Sequence, residues 1–333
     1  LSKNFPDSDE AKNAKPRLAK SLIEMGMKRE GTEIYAEMLR TEGGAYTAGQ
    51  FLNAGDALIE AKSWELANQA FEMAIKLAST NSPVTVAKAR IGEAKSAFKQ
   101  GSLPEAREAL DLFLADDNMA KRSIAVDAHF LMIEVASEMG RVEKDANLRA
   151  QHFGAAIGSV KKLRTYWKRK PQWEKDSIDL MSADVKIRQL KAEESMGLKE
   201  AAAETRGKAA AMLLGFLQSH AVDADHPAEK MSAGELANLE RCYATMIPLL
   251  AAMGAEQASD VIKHGRAYLG LFPNGKSVQT IQNCMNQAKA DGGREQATEV
   301  TPAAEPADEE PATEESENSE ATEASDEGET ENE

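Results

Sequence analysis

The stretch Phe51–Leu77, FLNAGDALIEAKSWELANQAFEMAIKL, constrains this chain more than any other part of it. It reads as two short amphipathic helices with a break near Lys62-Ser63. In the first, Phe51, Ala54 and Leu58 share a face, with Gly55 and Ile59 one step round. In the second, Leu66, Ala67, Ala70, Phe71, Ala74 and Ile75 follow the i, i+3, i+4 rule of a buried stripe. Gly55, Ala67, Ala70 and Ala74 are small enough for the two backbones to come close, and Phe51, Leu58 and Phe71 fill the space left over. Helices this short are marginal alone in water, so the pair needs neighbours.

Echoes of the pattern supply them. Met25-Gly26, Gln100-Gly101 and Met139-Gly140 each follow an apolar helical run, and with Lys62 as the corresponding turn the spacings are 36, 39 and 39 residues. Met196-Gly197 and Met253-Gly254 read as further turns. A repeat of this length predicts helical hairpins stacked as a solenoid, each burying its apolar face on the next. The repeats fall at 9–39, 48–78, 84–115 and 122–150. A longer helix, Gln172 to Met196, follows and is answered by Leu198 to His220. After a loop over 221–230 come helices at 233–252 and 255–271, and 279–290 reads as a capping helix. The predicted organisation is therefore 1–150 repeats, 151–290 divergent longer hairpins and cap, and 291–333 a disordered acidic tail.

Phe51-x-x-Ala54-Gly55-x-x-Leu58, followed by Ala67, Phe71 and Ala74, resembles the tetratricopeptide repeat (TPR). The resemblance implies an all-α, right-handed superhelix of antiparallel helix pairs, with a concave groove for a peptide or partner protein. One subset of the family holds acidic C-termini with a clamp of Lys, Asn and Arg. Aligned on these repeats, the clamp positions are Pro16, Lys20, Asn53, Lys88 and Gly92, and only Asn53 and Lys88 match in type. The departure argues against that clamp. Lys20, Asn53 and Lys88 remain candidate partner contacts, or plain solvent-facing residues. The junctions Phe5-Pro6 and Phe272-Pro273 are similar to those of TPR proteins of the bacterial cell envelope, of the outer-membrane assembly lipoprotein and cell-division coordinator types. That implies a periplasmic or outer-membrane-associated setting, with cytoplasm the alternative. The opening LSKNFPDSDEA lacks an initiator Met and reads as the closing turn of an earlier repeat, so a cut or processed end is expected.

Net charge is −15, but it is unevenly placed. Sixteen of the 55 acidic residues lie from Glu295 onward, where there is no Lys or Arg, so residues 1–294 carry 40 bases against 39 acids. Apart from its alanines and Val300, the tail has no apolar residues to offset ordering entropy. The near-neutral body argues neither for nor against an anionic partner.

One segment stands out as a second candidate site. Lys161, Lys162, Arg164, Lys168, Arg169 and Lys170 surround Tyr166 and Trp167 with no acid among them. Such a run suits an anionic polymer or membrane surface, with the rings stacking or sitting at an interface. It equally suits a solvated helix end whose aromatics pack inward. His220, Asp223, Asp225 and His226 place metal-type donors within seven residues but match no ligand signature, and a polar interhelix loop explains them. Cys242 and Cys284, 42 residues apart, read as free thiols. No Gly-rich phosphate loop, G-x-S-x-G elbow or H-E-x-x-H occurs. The expectation is a non-enzymatic protein-interaction scaffold with no catalytic residue, cofactor, metal or small-molecule substrate, and with nucleic acid disfavoured as a partner.

Overall fold

The computed structural model describes residues 9–41, 46–78, 82–116, 118, 123–220, 222 and 227–296. The Phe5-Pro6 junction, Asp223, Asp225 and His226 of the histidine–aspartate segment, and the acidic segment beyond 296 lie outside these residues. Thirteen α-helices occur among the described residues: α1 Asp9–Glu24, α2 Lys28–Arg40, α3 Ala48–Ala61, α4 Trp64–Leu77, α5 Pro83–Gln100, α6 Leu103–Ala115, α7 Ala125–Val142, α8 Ala146–Tyr166, α9 Gln172–Ser195, α10 Lys199–Ser219, α11 Ala233–Ala251, α12 Ala258–Leu271 and α13 Val278–Gln296. Each odd helix up to α11 packs on the even helix that follows it, and α1, α3, α5, α7 and α9 each also touch the next odd helix in the series. The result is an all-α stack of antiparallel helix pairs, with α13 after the sixth pair.

The apolar core is handed from pair to pair. A first cluster spans α1 to α5, a second α5 to α9 and a third α9 to α13. Helix α5 gives Ala89 to the first and Ala87 and Ala94 to the second; α9 gives Ile178, Val185 and Ala192 to the second and Leu180 and Ala183 to the third. These shared helices carry the seam across position 150, where Phe153, Ala156 and Val160 of α8 lie inside the second cluster. Residues up to Gly293 form one compact unit.

Gly26, Gly101, Gly197 and Gly254 have positive φ, as does one non-glycine, Lys62 at 64°. Gly26, Lys62, Gly101 and Gly197 each close a helix and tie up its last carbonyls, whereas Gly254 is extended and leads into the next turn; the Lys62 N–H donates to Ile59 O and the Ser63 N–H to Leu58 O. An L-residue is strained there where Gly is not. Lys62→Gly is therefore expected to raise the unfolding free energy by about 0.5–1 kcal/mol in denaturant melts.

Met139-Gly140 does not make the turn its place in the period predicts. Gly140 lies inside α7, and the chain reverses over Glu143–Asp145, where the Asp145 carboxylate caps α8 by accepting from the Asn147 and Leu148 N–H groups at 2.9 Å each. Gly140 is there because the Phe153 ring crosses it: a Cβ would lie 2.7 Å from Phe153 Cε2. Helix α8 also runs on to Tyr166, well past 150, and this added length breaks the short period.

Burial lowers the pKa of His129, His152 and His264; Lys162 adds to the effect at His129, Arg107 at His152 and Lys263 at His264. A histidine kept neutral by the fold lets the unfolded chain take up its proton first. Stability should then fall as pH drops below the ordinary imidazole value, from about 7 towards about 5.5. Thermal melts across that range are expected to show the loss. His129→Leu, which removes one of the three groups, should flatten the slope.

Candidate functional site

The odd helices form one layer, and their outer faces hold three adjoining depressions. The first is walled by α1, α3 and α5 and takes in Lys20, Asn53, Asp56 and Lys95. The second, between α3, α5 and α7, shares Asn53, Asp56 and Lys95 and adds Lys88, Lys99, Asp127 and Glu134. The third shares Glu134 and runs on to Glu138, Arg188 and Lys191 between α7 and α9. Together they make a groove crossing five helices. Leu52, Ile91, Phe130 and Leu131 give its middle section an apolar floor.

This places Lys20 and Asn53 in one depression and Asn53 and Lys88 in the next, with all three side chains exposed. The remaining clamp positions are used structurally. The carbonyl of buried Pro16 accepts the Tyr35 hydroxyl at 3.0 Å, and Gly92 is pressed against Phe71. A basic side chain at either position would disrupt the packing, which accounts for the departure from the clamp pattern.

Asp56 sits at the centre of this surface. Burial raises its carboxyl pKa, opposed by Lys95, Lys20 and Lys88, while Glu60 raises it further. Its contact with Lys95 is long, at 4.0 Å. Lys88 is a candidate from the sequence, and the other groove charges carry a readable signal beside it. Lys88, Lys95 and Lys99 in α5 are spaced by seven and four residues, and so are Asp127, Glu134 and Glu138 in α7. That spacing puts three like charges on one face of each helix.

The basic–aromatic segment has a different environment. Lys161, Lys162, Arg164 and Tyr166 end α8, and Trp167 to Lys170 form the following turn. Arg164 pairs with Asp179 at 3.0 Å and Lys170 with Glu174 at 3.2 Å. The Trp167 indole N–H donates to Glu174 at 3.0 Å and its ring meets Phe130 edge-on; the Tyr166 ring lies 5.9 Å from His129. Both rings are committed to contacts within the fold, and Lys161, Lys162, Lys168 and Arg169 are left exposed.

A further polar cluster lies between α9, α10 and α11. Asp176, almost wholly buried, accepts from Gln172 at 2.7 Å and faces His220 Nε2 at 3.1 Å, and the His220 ring stacks on Phe216. Asp179, beside Arg164, has its carboxyl pKa raised by burial, opposed by Arg164 and augmented by Asp176. Every buried group here has a partner, so the cluster works as a latch at the end of α10. Among the described residues no group of three His, Cys, Asp or Glu is arranged to hold a metal ion, and no helix is long and apolar enough to cross a membrane. Cys242 is buried with its thiol pushed up to about 12 by desolvation, donating to Leu213 O at 3.3 Å; Cys242 and Cys284 are both free.

No family model matches the chain, and no curated protein matches it. Among solved structures it is similar to the apo form of RapI, at 10% identity and a TM-score of 0.40, covering 86% of this chain and 99% of that one. A second is a signal transduction ATPase with numerous domains bearing a tetratricopeptide repeat sensor, from Pyrococcus horikoshii. It shares 13% identity at a TM-score of 0.40, over 88% of this chain and 42% of that one. A third is the C-terminal part of a TPR repeat-containing protein from Cytophaga hutchinsonii, at 10% identity and a TM-score of 0.33, covering 86% and 100%.

Proposed function

We propose that this chain is a non-enzymatic scaffold that holds an extended segment of a partner protein in the groove along α1, α3, α5, α7 and α9. The observation behind this is the continuity of the groove. Its depressions share walls, offer charges of both signs at the rim, and expose Phe130 over an apolar floor. An apolar floor with a polar rim suits a protein segment better than a small molecule, which a deeper enclosure would hold. Stacked helical pairs supply such extended surfaces because each pair adds one more helix to the wall.

The test is site-specific photo-crosslinking in cells. A benzophenone side chain placed at Asn53 or Asp127 should capture the same partner, and one at Leu112 on α6, an exposed position outside the groove, should not. Equal capture from Leu112 would refute the assignment of the groove. The cell-envelope setting rests only on the Phe-Pro junctions, and fractionation of the source cells tests it. Contact with an anionic surface through residues 161–170 is the weaker reading, because both aromatic rings and two of the six cations are already engaged within the fold.

A further inference from the structure

From α3 onward the charges of the groove are sorted by helix; α1, at its end, presents both Lys20 and Glu24, paired with each other. Helix α3 contributes only acids, Asp56 and Glu60. The groove face of α5 is wholly basic, with Lys88, Lys95 and Lys99, while its Arg90 and Glu93 line a separate depression against α6. Helix α7 presents Asp127, Glu134 and Glu138, and α9 presents Arg188 and Lys191. Arg141, the one base of α7 at the groove, is tied to Glu138 of its own helix. From α3 to α9 the signs along the groove therefore run negative, positive, negative, positive.

If the rows served only to hold neighbouring helices together, they would pair across the gaps. They barely do. Among the described residues, Lys95 with Asp56 at 4.0 Å is the one ion pair between neighbouring rows. Lys88, Lys99, Asp127, Glu134, Arg188 and Lys191 are exposed and form no ion pair among these residues. The rows are available to a partner.

Packed helices lie about 8–10 Å apart. A polyproline II segment advances about 3.1 Å per residue with three residues per turn, so every third side chain returns to the same face after about 9 Å. One turn of such a segment matches one helix of the layer, and its proline rings would lie on the apolar floor around Phe130. From this match we infer that the groove selects a polyproline II segment whose third-position residues alternate in charge, base facing α3, acid facing α5, base facing α7 and acid facing α9. The inference rests on the groove being the binding surface and adds the chemistry of what it binds.

Three peptides of one composition test it: KPPEPPKPPE, which alternates at every third residue; KPPKPPEPPE, which has the same spacing with the signs in blocks; and KPEPKPEPPP, which alternates at every second residue. Binding of the labelled peptides to the whole protein is read by fluorescence anisotropy. The first peptide is expected to bind tighter than the other two by about tenfold or more at about 50 mM salt, with the advantage shrinking at about 500 mM. The exposed-residue variant Lys88→Glu/Lys95→Glu/Lys99→Glu should keep its helical circular dichroism and transfer its preference to KPPKPPKPPE, a gain of binding that damage to the fold would not produce. Equal affinity for the three isomers, no binding of the first, or a variant that loses KPPEPPKPPE without gaining KPPKPPKPPE would each overturn the inference. The groove assignment itself stands or falls separately on the crosslinks from Asn53 and Asp127.

Discussion

Phe71→Ala is expected to destabilise the first three helix pairs by about 3–5 kcal/mol, the usual cost of emptying a fully buried aromatic site. Phe71 has no exposed surface. One edge of its ring is gripped by two glycines on different helices: a Cβ at Gly55 of α3 or at Gly92 of α5 would each come within 2.4 Å of Phe71 Cε1. The ring therefore joins its own hairpin to the next. In a stack where each pair touches only its neighbours, losing such a joint loosens one end and leaves the other folded. Hydrogen exchange should show protection lost in α1 to α4 and retained in α11 and α12. The glycines sharpen the test. Ala in place of Gly gains about 1 kcal/mol of helix propensity, but overpacking of a tight core costs about 1–3 kcal/mol. Gly92→Ala alone should be destabilising, and in a Phe71→Leu background the same change should become neutral or stabilising. Strict additivity of the two substitutions would show that ring and glycine do not meet.

Phe153→Ala is expected to be as costly, about 3–5 kcal/mol, and to act in the middle of the chain. Phe153 is fully buried in the cluster that spans α5 to α9 and covers Gly140 of α7. Weakening the central joint should uncouple the two ends, so the denaturant transition is expected to separate into two steps where the wild type shows fewer. Gly140→Ala should lower stability because Phe153 stands in the way of the new methyl group. Gly101→Ala should also lower it, for a different reason: the backbone there has a φ of 92° and the space around it is empty. Phe153→Leu should relieve the first of these and leave the second unchanged.

The two glycines mark how far the sequence could be read. Both follow an apolar helical run, and both fit a period of 36 to 39 residues. Gly101 ends a helix, whereas Gly140 makes room for a ring 13 residues further on. Local pattern cannot separate those uses, because the ring that demands the second glycine is placed by the packing of α7 on α8. The end of α8 was hidden in a similar way. A break was expected near 150, but burial of Val160 and Leu163 carries the helix on to Tyr166. For the rings of Tyr166 and Trp167 the sequence leaves both a binding platform and inward packing open, because it shows that they neighbour cations and does not show that His129, Phe130 and Glu174 lie against them.

The groove divides along the same line. Lys20, Asn53 and Lys88 came from comparison of repeat positions, and the spacing of Lys88, Lys95 and Lys99 already put three charges on one face of α5. What spacing leaves open is which way that face turns.

The order of amino acids by itself determined the hairpins, their period and the small residues that let helices approach, since these depend on contacts within a few turns of chain. Only the tertiary structure decided which glycines are turns and which are contacts, where α8 stops, and that rows of opposite charge come to lie side by side in one groove. The physical reason is that each helix is free to rotate about its own axis until large side chains such as Phe71 and Phe153 lock it against residues far away in the chain.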